Sequence, residues 1–249
     1  MRCRDDVELS QKAAEQFILL ANEAAAKSGR FTVALSGGST PKALYSLLAT
    51  PQYSQRIPWN RVHLFWGDER CVPPDHAESN YRMVYESLLS KIKIPADNVH
   101  RMAGEQEPRL AAIEYEAVLT EFFNLSKPDL PRFDLIFLGL GEDGHTASLF
   151  PGSAALSETA RLVAAVYIEK LKAHRLTLTL PALNQGAQIT FLVAGKSKAE
   201  ILKALLEGGA TTQYPAALVQ PRAGKLTWLV DEEAAANLTQ RLHTAEKDS

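Results

Sequence analysis

Short, mostly apolar runs alternate with stretches of helical spacing along this chain, and the alternation constrains the fold more than any other feature. Such runs are typical of strands that are buried on both faces of a sheet. They cover residues 31–35, 62–66, 135–138 and 189–194. Apolar residues at helical spacing cover residues 7–28, 41–48, 78–91, 108–125 and 199–206. Strands that alternate with helices predict an α/β fold with a largely parallel sheet.

Weaker patterns complete the predicted layout. Strand-like composition recurs at residues 99–102, 162–168, 175–180 and 225–230. Residues 51–60 are expected to form a loop, and residues 232–242 a terminal helix. Pro41 suits the first turn of the second helix, with Thr40 as its cap. Because the sequence has no internal repeat, low-complexity tract or clear linker, residues 1–249 are predicted to form a single α/β domain.

The composition narrows the class of protein. Hydrophobic residues make up 46% and charged residues 22% of the 249 residues, as is usual for a soluble globular protein. The formal net charge of −2 gives no overall field that favours nucleic acid. Cys3 and Cys71 have no paired spacing, which argues against a disulfide scaffold or a zinc cluster. With neither a signal peptide nor a membrane-spanning run, we expect a cytoplasmic protein that binds no nucleic acid and no membrane. It is expected to be a monomer or a weak homo-oligomer.

A glycine- and hydroxyl-rich junction follows the first predicted strand. It consists of Ser36, Gly37, Gly38, Ser39 and Thr40. The first N–H groups of a helix have no intrahelical partners, and the helix dipole makes that end positive. Since glycines also let the backbone approach a ligand and hydroxyls add donors, the junction suits a phosphate. It is not a P-loop, because the Gly-x4-Gly-Lys pattern is absent. An ordinary tight turn before a capped helix is the alternative.

A charged segment, Gly67-Asp-Glu-Arg70, follows the second strand. Asp68 and Glu69 are candidate acids or bases, and Arg70 is a candidate clamp for a phosphate or a carboxylate. The alternative is a solvated run of charges with a local ion pair. The position at a strand end favours the functional interpretation, and which of the three residues contacts a substrate is left open.

A second glycine-rich loop, residues 139–152, follows the third run and contains Asp143 and His145. A carboxylate near an imidazole fixes its tautomer and raises its basicity, which is what a general base needs. The remaining histidines lack such a setting and are interpreted as structural or surface residues. They are His63, His76, His100, His174 and His243.

The same loop matches the dinucleotide pattern G-x-G-x-x-G at residues 139–144. That motif opens a full helix, whereas Pro151-Gly152 interrupts this segment two turns later, so we reject the dinucleotide interpretation. No His-x3-His or Cys-x2-Cys pair indicates a metal site. We therefore expect no cofactor and no metal.

Two further cations, Arg175 and Lys198, are candidates for holding a phosphate. Arg175 begins an alternating strand, and Lys198 lies near the start of a helix. Taken singly, each is most simply a surface cation. The phosphate role requires that they converge on residues 36–40, and Lys196 is the alternative to Lys198.

Taken together, these motifs resemble those of the 6-phosphogluconolactonase family. The matching segments occur in the family's order over most of the chain. They are Ala34-Leu-Ser-Gly-Gly-Ser-Thr-Pro41, Trp66-Gly-Asp-Glu-Arg-Cys-Val-Pro73, Ser79-Asn-Tyr-Arg-Met83, residues 139–152, Arg175-Leu-Thr-Leu-Thr179 and Gly195-Lys-Ser-Lys-Ala199. The resemblance implies a doubly wound α/β fold with helices on both faces of the sheet, Rossmann-like but without a dinucleotide site.

The reaction that the resemblance implies is hydrolysis of 6-phospho-D-glucono-1,5-lactone to 6-phospho-D-gluconate, in the oxidative pentose phosphate pathway. In it, His145 takes a proton from the attacking water and Asp143 orients His145. Arg70 or a loop N–H stabilises the charge that develops at the lactone carbonyl, and Asp68 completes the catalytic group. Other phosphorylated lactones are left open as substrates.

The resemblance also assigns the phosphate site and thereby the expected partner. The loop of residues 36–40, together with Arg175 and Lys198, holds the 6-phosphate. A small-molecule phosphosugar lactone is the expected partner.

Two other functions stay in view. The related glucosamine-6-phosphate deaminase/isomerase family shares the fold, the glycine loop and an Asp-Gly-His. Its members typically carry Asp-Glu-Tyr where this chain has Asp-Glu-Arg70, and a Glu a few residues after the His, where this chain reads Thr-Ala-Ser-Leu-Phe-Pro151. These departures disfavour deamination or isomerisation. A non-catalytic sugar-phosphate sensor would need a DNA-binding unit, and the predicted elements leave no room for one.

Overall fold

A computed structural model describes residues 1–209 and 213–239. Its strands, numbered along the chain, are β1 (Phe31–Leu35), β2 (Val62–Trp66), β3 (Asp68–Arg70), β4 (Val99–His100), β5 (Leu135–Leu138), β6 (Val163–Ile168), β7 (Ala173–Leu178), β8 (Gln188–Val193) and β9 (Lys225–Val230). Its α-helices are α1 (Asp6–Ser28), α2 (Ser39–Leu48), α3 (Pro51–Ser54), α4 (Asn80–Ser87), α5 (Pro108–Phe122), α6 (Leu180–Leu183) and α7 (Ala199–Glu207).

The main sheet is parallel, with the strands in the order β4-β2-β1-β5-β8-β9. Numbered within this sheet alone, the order is 3-2-1-4-5-6, which is that of a doubly wound α/β sheet. The chain starts in the centre with β1, winds outward to β4, and then crosses to β5 on the other side of β1. The predicted fold class is therefore confirmed.

The central strands are buried along their whole length, which explains why they read as apolar runs without polar alternation. Helices cover them: α1 packs against α2, β1 and β9. The helix α1 begins after Asp5, whose carboxylate accepts the Glu8 N–H at 2.8 Å, and ends at Gly29 in the left-handed conformation.

The other strands form a separate antiparallel sheet in the order β3-β7-β6. Gly67 joins the two sheets, because its N–H donates to the carbonyl of Leu35 in β1 and its carbonyl accepts from Leu178 in β7. The predicted strands at residues 162–168 and 175–180 do form, as β6 and β7, and they pack against α5. The alternation of Leu and Thr in β7 does not mark a solvated face, because Leu176, Thr177 and Leu178 are all buried in the structure.

The structure corrects three local predictions. The helix α2 begins at Ser39, with Gly38 at the cap position and no side-chain cap, so the assignment of Thr40 as the cap is wrong. The predicted loop at residues 51–60 contains α3 and a short 3₁₀ turn.

Residues 232–237 form turns where a terminal helix was predicted. The Asp231 carboxylate accepts the N–H groups of Ala234 and Gly195, and these bonds tie the segment to the end of β8. Residues 240–242 of the predicted helix lie outside the described residues. In the described part of the chain, no helix is long and apolar enough to cross a membrane.

Candidate active site

An open cleft of about 230 Å³ lies at the carboxyl ends of β1 and β5, where the winding of the sheet reverses. In open α/β sheets this reversal leaves a crevice in which ligands bind. The cleft is lined by Ser36, Gly37, Gly38, Ser39, Thr40, Pro41, Asp68, Arg70, Asn80, Gly139, Leu140, Gly141, His145, Thr146, Ala147, Leu192, Val193, Ala194 and Lys198. Most of the residues that the sequence singled out therefore share one cavity.

The loop between β1 and α2 forms one wall, and every residue from 36 to 40 lines the cleft. The Tyr45 hydroxyl fixes the start of this loop, since it accepts the N–H of Ser36 at 3.1 Å and donates to its carbonyl at 3.0 Å. Ser36 is only 3% exposed, and its hydroxyl has no hydrogen-bond partner in the described part of the chain. An unpartnered buried hydroxyl beside the free N–H groups of a helix start is suited to bind an anion.

His145 projects into the cleft from the loop after β5. Its Nδ1 lies 2.5 Å from Oδ1 of Asp143, and its ring stacks on Phe150 with 4.1 Å between the ring centroids. A Cβ added to Gly141 would lie 2.0 Å from Nδ1, so only glycine leaves room for the ring in this position. Since Nδ1 is engaged by Asp143, the lone pair of the neutral ring is on Nε2.

Asp143 does not line the cleft itself but lies behind His145. Burial acts to raise the pKa of its carboxyl, but hydrogen bonds and charge from His145, together with Lys170, outweigh burial and hold this pKa below its ordinary value. The Nζ of Lys170 lies 3.3 Å from Oδ2 of Asp143 and comes from the turn between β6 and β7. Asp143 is therefore an ionised partner for the imidazole near neutral pH.

The side chains of the charged segment lie on opposite faces of the strand β3. Asp68 and Arg70 line the cleft, whereas Glu69 points away from it. The Glu69 carboxylate accepts the N–H groups of Asn80 and Tyr81 at 2.7 and 2.8 Å and so holds the start of α4. Burial raises the pKa of Glu69, in spite of these hydrogen bonds. Asp68 is 7% exposed and accepts the Ser148 hydroxyl at 2.8 Å.

The two predicted phosphate cations differ in position. Lys198 lines the cleft, and Lys196 does not, which favours Lys198 between these two. Arg175 is 9% exposed, pairs with Arg70 across β3 and β7, and donates to the carbonyl of His174. Burial and the charge of Arg70 lower its pKa. The structure does not bring Arg175 to the wall of the cleft, so its contact with a phosphate stays a prediction.

Several lining residues were not predicted, among them Asn80 and Thr146. Asn80 lies in the segment Ser79-Asn-Tyr-Arg-Met83, which the family resemblance included but to which no role was given. Thr146 donates to the carbonyl of Gly139 at 2.9 Å and so closes the loop that carries His145. Both lie inside segments that the family resemblance quoted, and their membership of those segments was the available signal.

The other histidines lie outside the cleft. His76 and His174 are exposed, whereas His63 and His100 pack against each other at the edge of the main sheet, and His243 lies outside the described residues. Within residues 1–209 and 213–239, no three His, Cys, Asp or Glu side chains converge as the ligands of a metal ion would.

Comparison with known proteins places the cleft in a family context. A family model described as glucosamine-6-phosphate isomerases/6-phosphogluconolactonase matches residues 4–228. The chain is 45% identical over 218 residues to a 6-phosphogluconolactonase from a Synechocystis strain, covering 87% of this chain and 88% of the relative. It is 39% identical over 237 residues to one from a Nostoc strain, covering 94% and 96%. Among solved structures, a 6-phosphogluconolactonase from Trypanosoma cruzi matches with a TM-score of 0.85 and 32% identity over 96% of each chain.

Proposed function

The chain belongs to the glucosamine-6-phosphate isomerase/6-phosphogluconolactonase family, and we propose that it hydrolyses 6-phospho-D-glucono-1,5-lactone to 6-phospho-D-gluconate. One observation carries the proposal: His145, which is paired with Asp143, lines the same cleft as the loop of residues 36–40. The cleft thus offers a base for water and an anion site for a phosphate, which are the two things that this reaction needs.

His145 acts as the general base. A lactone is an activated ester, so attack by water needs a base and some stabilisation of the developing oxyanion. With Nδ1 held by Asp143, the Nε2 lone pair takes the proton from the attacking water. Asp143 keeps the ring in this tautomer and stabilises the imidazolium that forms.

Arg70 supplies a positive charge to the lining of the same cleft. Its guanidinium donates to the carbonyl of Glu78, which anchors it near the cleft. As water attacks, negative charge moves onto the lactone carbonyl oxygen, and Arg70 or a loop N–H stabilises it there. Asp68, held by Ser148, adds a carboxylate to the same wall.

The 6-phosphate binds at the loop of residues 36–40. The free N–H groups at the start of α2, the unpartnered hydroxyl of Ser36 and the ammonium of Lys198 provide donors of the right kind. Arg175 pairs with Arg70 across β3 and β7 and does not line the cleft, and its contact with the phosphate remains part of the proposal.

Hydrolysis of freshly prepared 6-phosphogluconolactone, with the spontaneous reaction subtracted, tests this function. We expect catalysis well above background on the phosphorylated lactone and much weaker catalysis on the unphosphorylated lactone, because the latter leaves the anion site empty. Equal rates on both lactones would contradict the phosphate site. Release of ammonia from glucosamine 6-phosphate would instead indicate a deaminase, and binding of phosphosugar without turnover would indicate a sensor.

We propose further that residues 1–249 act as one domain, since the small sheet continues directly from β2 through Gly67. The protein acts in the cytoplasm as a monomer or a weak homo-oligomer, without nucleic acid. Gel filtration with light scattering tests the oligomeric state, and a stable dimer or larger assembly at micromolar concentration would contradict it.

A further inference from the structure

Asn80 is a buried polar residue on the wall of the cleft, and the mechanism above gives it no part. It is the first residue of α4, is 2% exposed, and touches both the loop of residues 36–40 and Asp68. A buried amide is costly unless its groups find partners, so its unused hydrogen-bonding capacity is informative.

The orientation of the Asn80 amide is fixed by its neighbours. Its Nδ2 donates to the carbonyl oxygen of Asp68 at 2.9 Å and lies 3.4 Å from Oδ1 of the same residue. Because both atoms are acceptors, the NH₂ group must face them, and the Oδ1 atom faces the other way. No donor in the described part of the chain reaches Oδ1, which is therefore a free acceptor.

The position of Oδ1 is set by Gly37. A Cβ added to Gly37 would lie 2.0 Å from Oδ1, so the amide oxygen rests directly against the backbone of the phosphate-binding loop. The free acceptor and the Asp68 carboxylate thus follow one another along the wall, beginning at the anion site. A phosphosugar that has its phosphate at the loop and its lactone carbonyl within reach of the water activated by His145 must lay its ring along the cleft, with the ring hydroxyls available to these acceptors.

We propose that Asn80 is a specificity-determining residue whose Oδ1 accepts a hydrogen bond from a ring hydroxyl of the phosphosugar lactone. Asp68 is the neighbouring acceptor. This inference rests on the proposed function and adds to it the residue that recognises a hydroxyl of the sugar ring. A site built to bind a hydroxyl rejects an analogue that lacks it, because the polar groups of the site are then left unpaired.

Enzyme variants crossed with deoxy substrates test the proposal. The quantity to compare is kcat/KM of the wild type and of Asn80→Ala on 6-phosphogluconolactone and on its 2-deoxy, 3-deoxy and 4-deoxy analogues. For each protein, the loss is the ratio of kcat/KM on the full substrate to kcat/KM on the analogue. For one of the three analogues, we expect the loss in the wild type to be about 3- to 10-fold larger than the loss in Asn80→Ala, which corresponds to the energy of one neutral hydrogen bond. A residue that only ties α4 to β3 would lower the rate on all four substrates by the same factor, and this result would overturn the proposal.

Two further variants complete the test, one as a substitute for Asn80→Ala and one as a control. If Asn80→Ala folds poorly, Asn80→Ser replaces it in the test. This variant keeps a small polar residue at the start of α4, and we expect the same selective loss from it. Ser87→Ala removes a buried hydroxyl that bonds the Met83 carbonyl elsewhere on α4, and it should leave the ranking of the four substrates unchanged. If the wild type hydrolyses none of the lactones above background, the proposed function itself fails, and this inference falls with it. If the wild type is active but no analogue shows the selective loss, only this inference fails.

Discussion

His145 is held by neighbours on three sides, and each of them constrains a different motion of the ring. The bond to Asp143 fixes which nitrogen faces the cleft, the stack on Phe150 fixes the plane of the ring, and Gly141 leaves the space that the ring occupies. A base held in this way needs no reorganisation when water binds, which is the condition for efficient proton transfer.

Replacing His145 should affect turnover more than substrate binding. Loss of a positioned general base costs about 10²–10⁴ in rate, and the phosphate-binding loop lies on another wall, so His145→Ala should lower kcat with little change in KM. Steady-state kinetics on fresh lactone provides the measurement. His174→Ala, which removes an exposed histidine outside the cleft, should leave kcat unchanged. Near-normal kcat in His145→Ala would show that another group is the base.

Lys170 should act on Asp143 from outside the cleft. Its ammonium adds to the contacts from His145 that hold the pKa of the Asp143 carboxyl below its ordinary value, so Lys170→Met should move this pKa upward. The Lys170 side chain is 72% exposed, and exposed ion pairs are weak, so we expect a small displacement, measured by NMR titration of the carboxyl. Lys172→Met, on the same turn, serves as the control. A displacement to lower pH, or none, would exclude this role.

The charged segment shows how far single residues could be predicted. Side chains alternate across a strand, so the strand β3 places Asp68 and Arg70 on one face and Glu69 on the other. The sequence offered all three as candidates, because β3 is too short to be recognised from its pattern. Asn80 was harder still, since its place on the cleft depends on where α4 begins in space.

At the scale of elements, the junction between β1 and α2 combines binding with a strained backbone. Gly38 has φ of +109° and ψ of 167°, a conformation that is essentially restricted to glycine. Its neighbour Gly37 has no room for a side chain because of Asn80. The two glycines are thus required for different reasons: Gly38 for its backbone conformation, and Gly37 for the close contact with Asn80.

Substitution of Gly38 should therefore destabilise the fold as well as the site. We expect Gly38→Ala to lower the free energy of unfolding by about 1–3 kcal/mol and to raise KM, because the N–H groups of the loop shift. Urea denaturation and steady-state kinetics measure the two effects. Gly29→Ala, at the exposed end of α1 where nothing lies within 4 Å of the added Cβ, should lower stability with no change in KM. A Gly38→Ala protein with wild-type stability and KM would contradict the argument.

The elements of the main sheet could be predicted well, whereas their partition into two sheets could not. Long buried runs and the loops that follow them identify parallel strands and the edge at which ligands bind. The single residue Gly67 between β2 and β3 gives no sequence signal that the chain passes from one sheet to another. The terminal helix was also predicted wrongly: residues 232–237 form turns, and the Asp231 carboxylate before them accepts the N–H of the distant Gly195 as well as that of the nearby Ala234.

At the scale of the whole molecule, the edge of the main sheet holds a titratable pair outside the cleft. Nδ1 of His63 on β2 lies 3.3 Å from Nε2 of His100 on β4, and His100 stacks on Phe65 with ring centroids 4.3 Å apart. Burial lowers the pKa of His63, and burial together with the charge of His63 lowers the pKa of His100 to about 4. Arg30 and Asp97 are the charged residues that act on the pair.

The depressed values make stability depend on pH in a definite direction. An imidazole whose pKa falls on folding binds fewer protons in the folded chain than in the unfolded chain, so stability rises with pH between the two values. The contribution of the pair is complete above the unfolded pKa of about 6.5 and is lost as the pH falls from there towards about 4. Glu69 acts in the opposite sense, because burial raises its pKa and protonation relieves the cost of its buried charge.

We therefore expect the free energy of unfolding in urea to fall between pH 7 and pH 5. Because His100 is only about half-buried and solvent screens its charge, the fall should be on the order of 1 kcal/mol. His100→Phe keeps an aromatic ring against Phe65 and removes one of the two proton sites, so it should reduce the fall by about half or more. His174→Phe, at an exposed position, should leave the fall unchanged. The same pH dependence in all three proteins would show that the buried pair does not control stability in this range.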